Sequence, residues 1–279
     1  MKNNNKKKES AALSFLYKTV PGRVLLKAAT ARWVSIAAGK FLDSRLSKGL
    51  IKGFVKKNGI DLADYESDNF KCFNDCFCRK IKDGLRPIDQ RREAFVSPCD
   101  GLLSAYRIND DTVLNIKGSL YRISDLVNDE QIASSYAGGT CLVFRLCVNH
   151  YHRYIYVDNA QKGNNVFIKG KLHTVRPIAL ETLPVFKRNC REYTVMDTEN
   201  FGRVTQIEVG ALLVGKIKNH HGKAQVFKGQ EKGTFLYGGS TIILLLEKGA
   251  VKIDSEYFDM TANGEEVDVK MGQKVGFSE

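Results

Sequence analysis

The chain has 279 residues, 43 Lys/Arg against 31 Asp/Glu and a formal net charge of +12. That length is enough for one large domain or two small ones, and a hydrophobic content of 43% is ordinary for a globular protein. Seven cysteines form an odd set with no regular spacing, which argues against a disulfide framework and for free thiols in a reducing compartment. Residues 1–60 hold 14 Lys/Arg and 2 Asp/Glu, so the whole charge excess sits on the N-terminal fifth. Such asymmetry points to an anionic partner for that segment.

Residues 10–57 read as helices. Lys2, Lys6, Lys7 and Lys8 imitate the start of a secretory signal, but Lys18, Pro21, Arg23 and Lys27 interrupt the apolar stretch after them, so no signal is expected. Nor does any run approach the ~18 apolar residues of a spanning helix. Leu13, Leu16, Tyr17 and Val20 carry helical spacing up to the Pro21-Gly22 break. A second helix runs to about Phe41 with Leu26, Ala29, Trp33 and Ala37 on one side. A third sets Leu46, Leu50, Ile51, Phe54 and Val55 against a basic row of Arg45, Lys48, Lys52 and Lys56, and Asn58-Gly59 stops it. This pattern suits either an anionic bilayer surface or a helical layer packed on the protein's own core. Nucleic acid fits less well, because no binding module and no interleaved aromatics accompany the row. Cys72, Cys76 and Cys78 have no second Cys/His pair at zinc spacing, so no metal is expected.

From about Phe95 the pattern changes to short strands and Gly-rich turns. Strands are expected at Thr140–Cys147, Asn165–Ile168, Arg203–Val209, Ala211–Ile217, Ala224–Phe227, Thr234–Tyr237 and Thr241–Leu246. One helix is expected over Ser124–Ser135 with Ser124 as its N-cap. The class is therefore α+β: amphipathic helices, then an antiparallel barrel or sandwich. The division falls into a basic helical region, 1–65, and a β-rich body, 66–279.

Tyr237-Gly238-Gly239-Ser240-Thr241 leads straight into the apolar run Ile242–Leu246. Two glycines allow a sharp bend, which can bring the Ser240 hydroxyl onto the Gly239 carbonyl. The same residues also read as a plain turn before a core strand. Self-cleavage there needs a base and a group to orient it. His150 and His152 would share a face of an extended segment, or simply end a strand. Asp100, in Ser97-Pro98-Cys99-Asp100-Gly101, is also a common hairpin turn residue.

Taken together, these segments resemble the phosphatidylserine decarboxylases, specifically the shorter bacterial type II proenzymes. The resemblance spans nearly the whole chain. It is carried by Leu42-Asp43-Ser44-Arg45-Leu46-Ser47, Phe73-Asn74-Asp75, Leu85-Arg86-Pro87-Ile88-Asp89, Val96-Ser97-Pro98-Cys99-Asp100-Gly101 and Tyr151-His152-Arg153. It continues through His173-Thr174-Val175-Arg176-Pro177-Ile178-Ala179-Leu180, Glu208-Val209-Gly210-Ala211-Leu212-Leu213-Val214-Gly215 and Gly238-Gly239-Ser240-Thr241.

The resemblance implies that Ser240 cuts the Gly239–Ser240 bond through an ester. A β chain, 1–239, would separate from an α chain, 240–279, headed by a pyruvoyl group made from Ser240. That ketone would condense with the amine of phosphatidylserine and act as the electron sink when CO2 departs. Asp100 would orient, His152 would act as base, and Ser240 would be nucleophile and pyruvoyl precursor. Many family members carry a second histidine three residues on, where this chain has Ile155, and an Asp where it has His150. His150 and His173 are therefore accessory candidates. A homodimer and peripheral residence on the cytoplasmic face of the membrane are also implied. Two other readings remain: a pyruvoyl decarboxylase of a soluble amino acid derivative, and a non-catalytic membrane-binding module.

Overall fold

The computed structural model describes residues 15, 19, 21–22, 32–116, 119–171, 185–210, 217–236 and 240–278. The first expected helix and the Leu26 and Ala29 positions lie outside the described residues, as do Gly239, His173 and most of Ala211–Ile217.

The front of the chain is helical. Helix α1 spans Arg32–Asp43, a 3-10 turn spans Arg45–Leu50, and α2 spans Ile51–Asn58. The third expected helix is thus two pieces: tight 3-10 winding first, then α-helix. Gly59, at φ 61°, ends α2 in the left-handed conformation that glycine adopts without a Cβ penalty, as expected for the Asn58-Gly59 stop. Ile51 and Phe54 pack on Leu42, Phe73 and Phe77, the last two from the short helix α3 (Phe73–Phe77). The inner apolar face is therefore satisfied by the protein itself, while Leu46 and Leu50 stay exposed.

The body begins with strands β1 (Ala94–Val96), β2 (Gly101–Arg107), β3 (Val113–Ile116) and β4 (Ser119–Arg122). Two helices follow, α4 (Ile123–Val127) and α5 (Glu130–Ser134), where the sequence suggested one. Asn128 takes a positive φ of 56° between them, and Asp129 caps α5 by accepting the Ile132 N–H. Arg122, not Ser124, precedes the first turn. Strands β5 (Thr140–Leu146), β6 (Arg153–Ile155), β7 (Ala160–Lys162) and β8 (Val166–Ile168) lead to helix α6 (Val185–Arg188). Then come β9 (Arg191–Thr198), β10 (Arg203–Val209), β11 (Ile217–Asn219), β12 (Ala224–Val226) and β13 (Glu231–Phe235). Last are β14 (Ser240–Leu246), β15 (Lys252–Ile253), α7 (Ser255–Ala262), β16 (Val267–Val269) and β17 (Lys274–Phe277).

The main sheet runs β12-β7-β9-β10-β14-β5-β2-β16, with β8 also on β9, and its pairings are antiparallel. It does not close into a barrel. Two smaller sheets, β1-β17-β15 and β11-β13-β6, lie on one face over Leu103, Phe144, Ile242 and Leu244. Helices α4, α5 and α6 and the β3–β4 hairpin cover the other face over Val143, Ile207, Ile243 and Leu245. This sandwich explains why Ile242–Leu246 is apolar without alternation: a strand buried on both faces has no polar side to show. Each of those five side chains, fully buried, contributes about 1.5–3 kcal/mol of transfer free energy.

Candidate active site

Strand register brings the expected site residues to one end of the main sheet. β5 lies between β2 and β14. Arg145 on β5 faces Leu102 on one side and Thr241 on the other, and Leu146 faces Ser240. Asp100, just ahead of β2, and Ser240, the first residue of β14, therefore flank the end of β5. The chain leaving β5 turns through Cys147–Tyr151 and delivers His152 just before β6. Two backbone bonds fix this return. The His152 carbonyl accepts from Phe235 N–H at 3.0 Å, tying it to the end of β13, and Ile155 N–H donates to the Pro98 carbonyl at 2.9 Å, tying it to the Asp100 turn.

His152 is fully buried, with the Phe77 ring tilted across it at 4.0 Å between centroids. Its Nδ1 lies 2.9 Å from the His150 carbonyl. A carbonyl only accepts, so Nδ1 carries the proton and a neutral ring keeps its basic lone pair on Nε2. His150 has the opposite tautomer: its Nδ1 accepts the Cys147 N–H at 3.1 Å, which places its proton on Nε2. Burial pushes the His150 pKa down, opposed by the charges of Asp268 and Asp100. Ile155, at the position where the resemblance implies a second histidine, sits in an apolar cluster with Tyr65, Ile81, Tyr151 and Met271.

The Ser240 hydroxyl is buried and has no hydrogen-bond partner among the described residues. A buried hydroxyl left unsatisfied costs about 1–3 kcal/mol; the Thr241 hydroxyl beside it is in the same state, so it is the place of Ser240 at the start of β14 that sets it apart. The Asp100 carboxylate is also buried, but it is held on both oxygens. Arg86 Nε donates to Oδ1 at 2.8 Å, Arg86 Nη2 to Oδ2 at 2.6 Å, and Met271 N–H to Oδ1 at 2.9 Å.

A second buried charge cluster lies on the same face of the sheet. Glu208 on β10 stands directly opposite Ile242, two residues along β14 from Ser240. Lys232 Nζ meets Glu208 Oε1 at 2.7 Å with both side chains fully buried, and Asn219 bonds both Lys232 and Glu208. Burial raises the Glu208 pKa, and Lys232 opposes that rise. The sequence pattern did not single out Glu208, Lys232 or Arg86. Two signals were present, a carboxylate inside the strand-like run Arg203–Val209 and an arginine ahead of Pro87; Lys232 lies two residues before the expected Thr234–Tyr237 strand, whose observed start is Glu231.

The other two described histidines are engaged elsewhere, His220 on Glu231 at 2.7 Å and His221 with the Tyr156 hydroxyl at 3.2 Å. Cys78 donates to the Phe235 carbonyl at 3.4 Å, and burial raises its pKa to about 11. Among the described residues no group of three or more His, Cys, Asp or Glu is placed to hold a metal ion.

Residues 73–277 match the family model described as phosphatidylserine decarboxylase. The chain is 44% identical to phosphatidylserine decarboxylase proenzyme 2 of Clostridium acetobutylicum, over 97% of this chain and 93% of that protein. It is 42% identical to the phosphatidylserine decarboxylase proenzyme of Ruminiclostridium cellulolyticum, over 95% of this chain and 90% of that one. A Clostridium botulinum proenzyme of the same name is 41% identical over 85% of this chain and 82% of its own length.

Proposed function

The chain belongs to the phosphatidylserine decarboxylase family, whose reaction converts phosphatidylserine to phosphatidylethanolamine and CO2, and on that premise we propose how it prepares its site and where it works. The observation that carries the proposal is the buried Ser240 hydroxyl, isolated among the described residues, at the sheet end where Asp100 and His152 converge. A serine in that setting fits a nucleophile whose target is the carbonyl just before it, and so fits a serine-derived pyruvoyl group.

In this proposal His152 takes the Ser240 hydroxyl proton at Nε2, and Oγ adds to the Gly239 carbonyl. The peptide C–N bond breaks and an ester forms, freeing the Ser240 amine. A base then takes the Ser240 Cα proton, and elimination forms the Cα–Cβ double bond as the Cβ–Oγ bond breaks. Oγ leaves as part of the Gly239 carboxylate, and residues 1–239 separate from a chain headed by dehydroalanine. Water replaces the amine as ammonia departs. The pyruvoyl group that results supplies an electrophilic carbonyl, able to accept the electron pair left when CO2 leaves the substrate. Each turnover takes up one proton at the substrate carbon. His152 is the group proposed to hold it, fully buried against the Phe77 ring.

Residues 1–65 are proposed to dock on the cytoplasmic face of the membrane and 66–279 to form the catalytic body. Among the described residues no helix is long and apolar enough to cross a bilayer. Phe41, Leu46 and Leu50 are exposed beside Arg45, Lys48, Lys52 and Lys56, and Leu46 is 83% exposed. Apolar side chains ringed by basic ones suit a peripheral helix on an anionic leaflet. They favour a lipid over a soluble amino acid derivative as substrate. Intact-mass measurement tests the self-cleavage on which the reading rests. The expected result is two chains, 1–239 and 240–279, with the shorter one blocked at its N-terminus and reactive toward carbonyl reagents. A single uncut chain after prolonged incubation would overturn it.

A further inference from the structure

Asp100 is the residue expected to orient the base, yet its nearest partner is an arginine. Arg86 grips the carboxylate with two parallel bonds, a fork geometry that lysine cannot reproduce. The grip is sheltered, with 3% of the Asp100 side chain and 19% of the Arg86 side chain exposed. Arg86 is itself braced, since its Nη1 donates to the Leu85 carbonyl at 2.8 Å. Pro87 follows at once and fixes the backbone on that side.

A carboxylate offers about four acceptor positions. Arg86 and Met271 N–H fill both on Oδ1 and one on Oδ2. Among the described residues a single position on Oδ2 remains, and the fork fixes the plane of the carboxylate that carries it. Other ionisable groups stand around the pair. Cys99 and His150 feel the Asp100 charge, and Tyr65 and Asp64 act on Arg86. Among the described residues, Arg86 is the ion-pair partner of Asp100.

We propose that Arg86 is the positioning residue of self-cleavage, fixing the Asp100 carboxylate at the sheet end where Ser240 begins β14 and His152 precedes β6. Arg86 acts through Asp100 and does not touch the reacting atoms. The inference rests on the reading that the chain cuts itself at Ser240.

The test is the rate of cleavage of freshly made full-length chain, followed by intact mass, for the parent, Arg86→Lys, Arg86→Ala and Arg91→Gln. Arg91 pairs with Asp89 on the surface of the same loop and serves as the control. Expected results are parental cleavage in Arg91→Gln, at least about tenfold slowing in Arg86→Lys, where charge survives without the fork, and greater slowing in Arg86→Ala. Millimolar methylguanidinium should restore Arg86→Ala, while methylammonium at equal ionic strength should not. A merely structural arginine would slow cleavage only in step with a lowered melting temperature, whereas the positioning role slows it in an Arg86→Lys variant that melts like the parent. If Arg86→Ala does not fold, Arg86→Lys decides: a folded lysine variant that cuts at the parental rate overturns the proposal. So does Arg86→Ala that folds and is rescued equally by both cations. An uncut parent would instead defeat the self-cleavage reading, so the two failures are distinguishable.

Discussion

The sheet end proposed to be catalytic and the helical front of the chain break the usual partition of residues in opposite ways. At the sheet end Asp100, His152, Ser240, Glu208 and Lys232 are all buried. At the front Phe41, Leu46 and Leu50 stand in water. Each arrangement is costly in isolation: buried polar groups need partners, and exposed apolar side chains forgo burial. The difference teaches where to look for chemistry and where to look for a surface. Buried polarity concentrates reactive groups away from water, whereas exposed apolarity needs a partner to complete it.

The sharpest way to break this comparison is at the sheet end itself. Ser240→Ala and Asp100→Ala should each leave a single uncut chain by intact mass, an all-or-none effect. His152→Ala should also block cleavage. If His152→Ala cuts normally while His150→Ala does not, the base is His150, and the lone pair on His152 Nε2 plays no part in cutting the chain.

Not every buried polar group at that end need do chemistry, and the Lys232–Glu208 pair separates the two kinds. Lys232→Met alone should cost about 3–5 kcal/mol of unfolding free energy, because it strands the buried Glu208 charge. The double variant with Glu208→Leu should return to within about 1 kcal/mol of the parent, since an apolar replacement of similar size needs no solvation. Denaturant melts of all three chains would check this, and a double variant no more stable than the single would show that the pair organises more than itself.

The helical front sharpens the comparison from the other side. Replacing Lys48, Lys52 and Lys56 with Gln should weaken binding to anionic liposomes by up to about 3 kcal/mol. Binding of the parent should fall as salt rises. Leu46→Ser with Leu50→Ser should weaken binding too, yet leave unfolding free energy within about 0.5 kcal/mol, because exposed positions contribute little to the fold. Cosedimentation would sink the docking reading if all these variants bind as the parent does. Lys48 also bonds Asn69 at 3.3 Å, so it is the basic residue with the largest structural share.

The smallest expected effect is a pH dependence. His150 is more easily neutral in the folded chain than in the unfolded one. The unfolded chain therefore binds more protons, and stability rises with pH through that interval. The contribution is complete above the unfolded value of about 6.5 and declines as pH falls from there toward the lower folded value. His150→Gln should flatten this limb in melts between pH 5 and 7.

Much of this was legible in the sequence, for a local reason. The Ile242–Leu246 run reads as a buried strand because only burial on both faces tolerates five successive apolar residues, and β14 is that strand. The Asn58-Gly59 stop was equally local, since a left-handed residue ends a helix whatever lies around it. The family resemblance named Asp100, His152 and Ser240, and the register of β2, β5 and β14 brings the segments that carry them to one sheet end.

Tertiary structure alone decided which partner each polar group meets. Asp100 reads as a turn residue in sequence, and nothing near it in the chain predicts a fork from Arg86, fourteen residues earlier. Glu208 and Lys232 meet across two sheets, although each looks like a solvated charge in its own segment. The stretch from Arg45 to Asn58 divides its apolar residues between core and solvent: Ile51 and Phe54 meet Phe73 and Phe77, while Leu46 and Leu50 stay exposed. Periodicity sets which side chains share a face. Only the neighbour across the gap determines whether that face is covered.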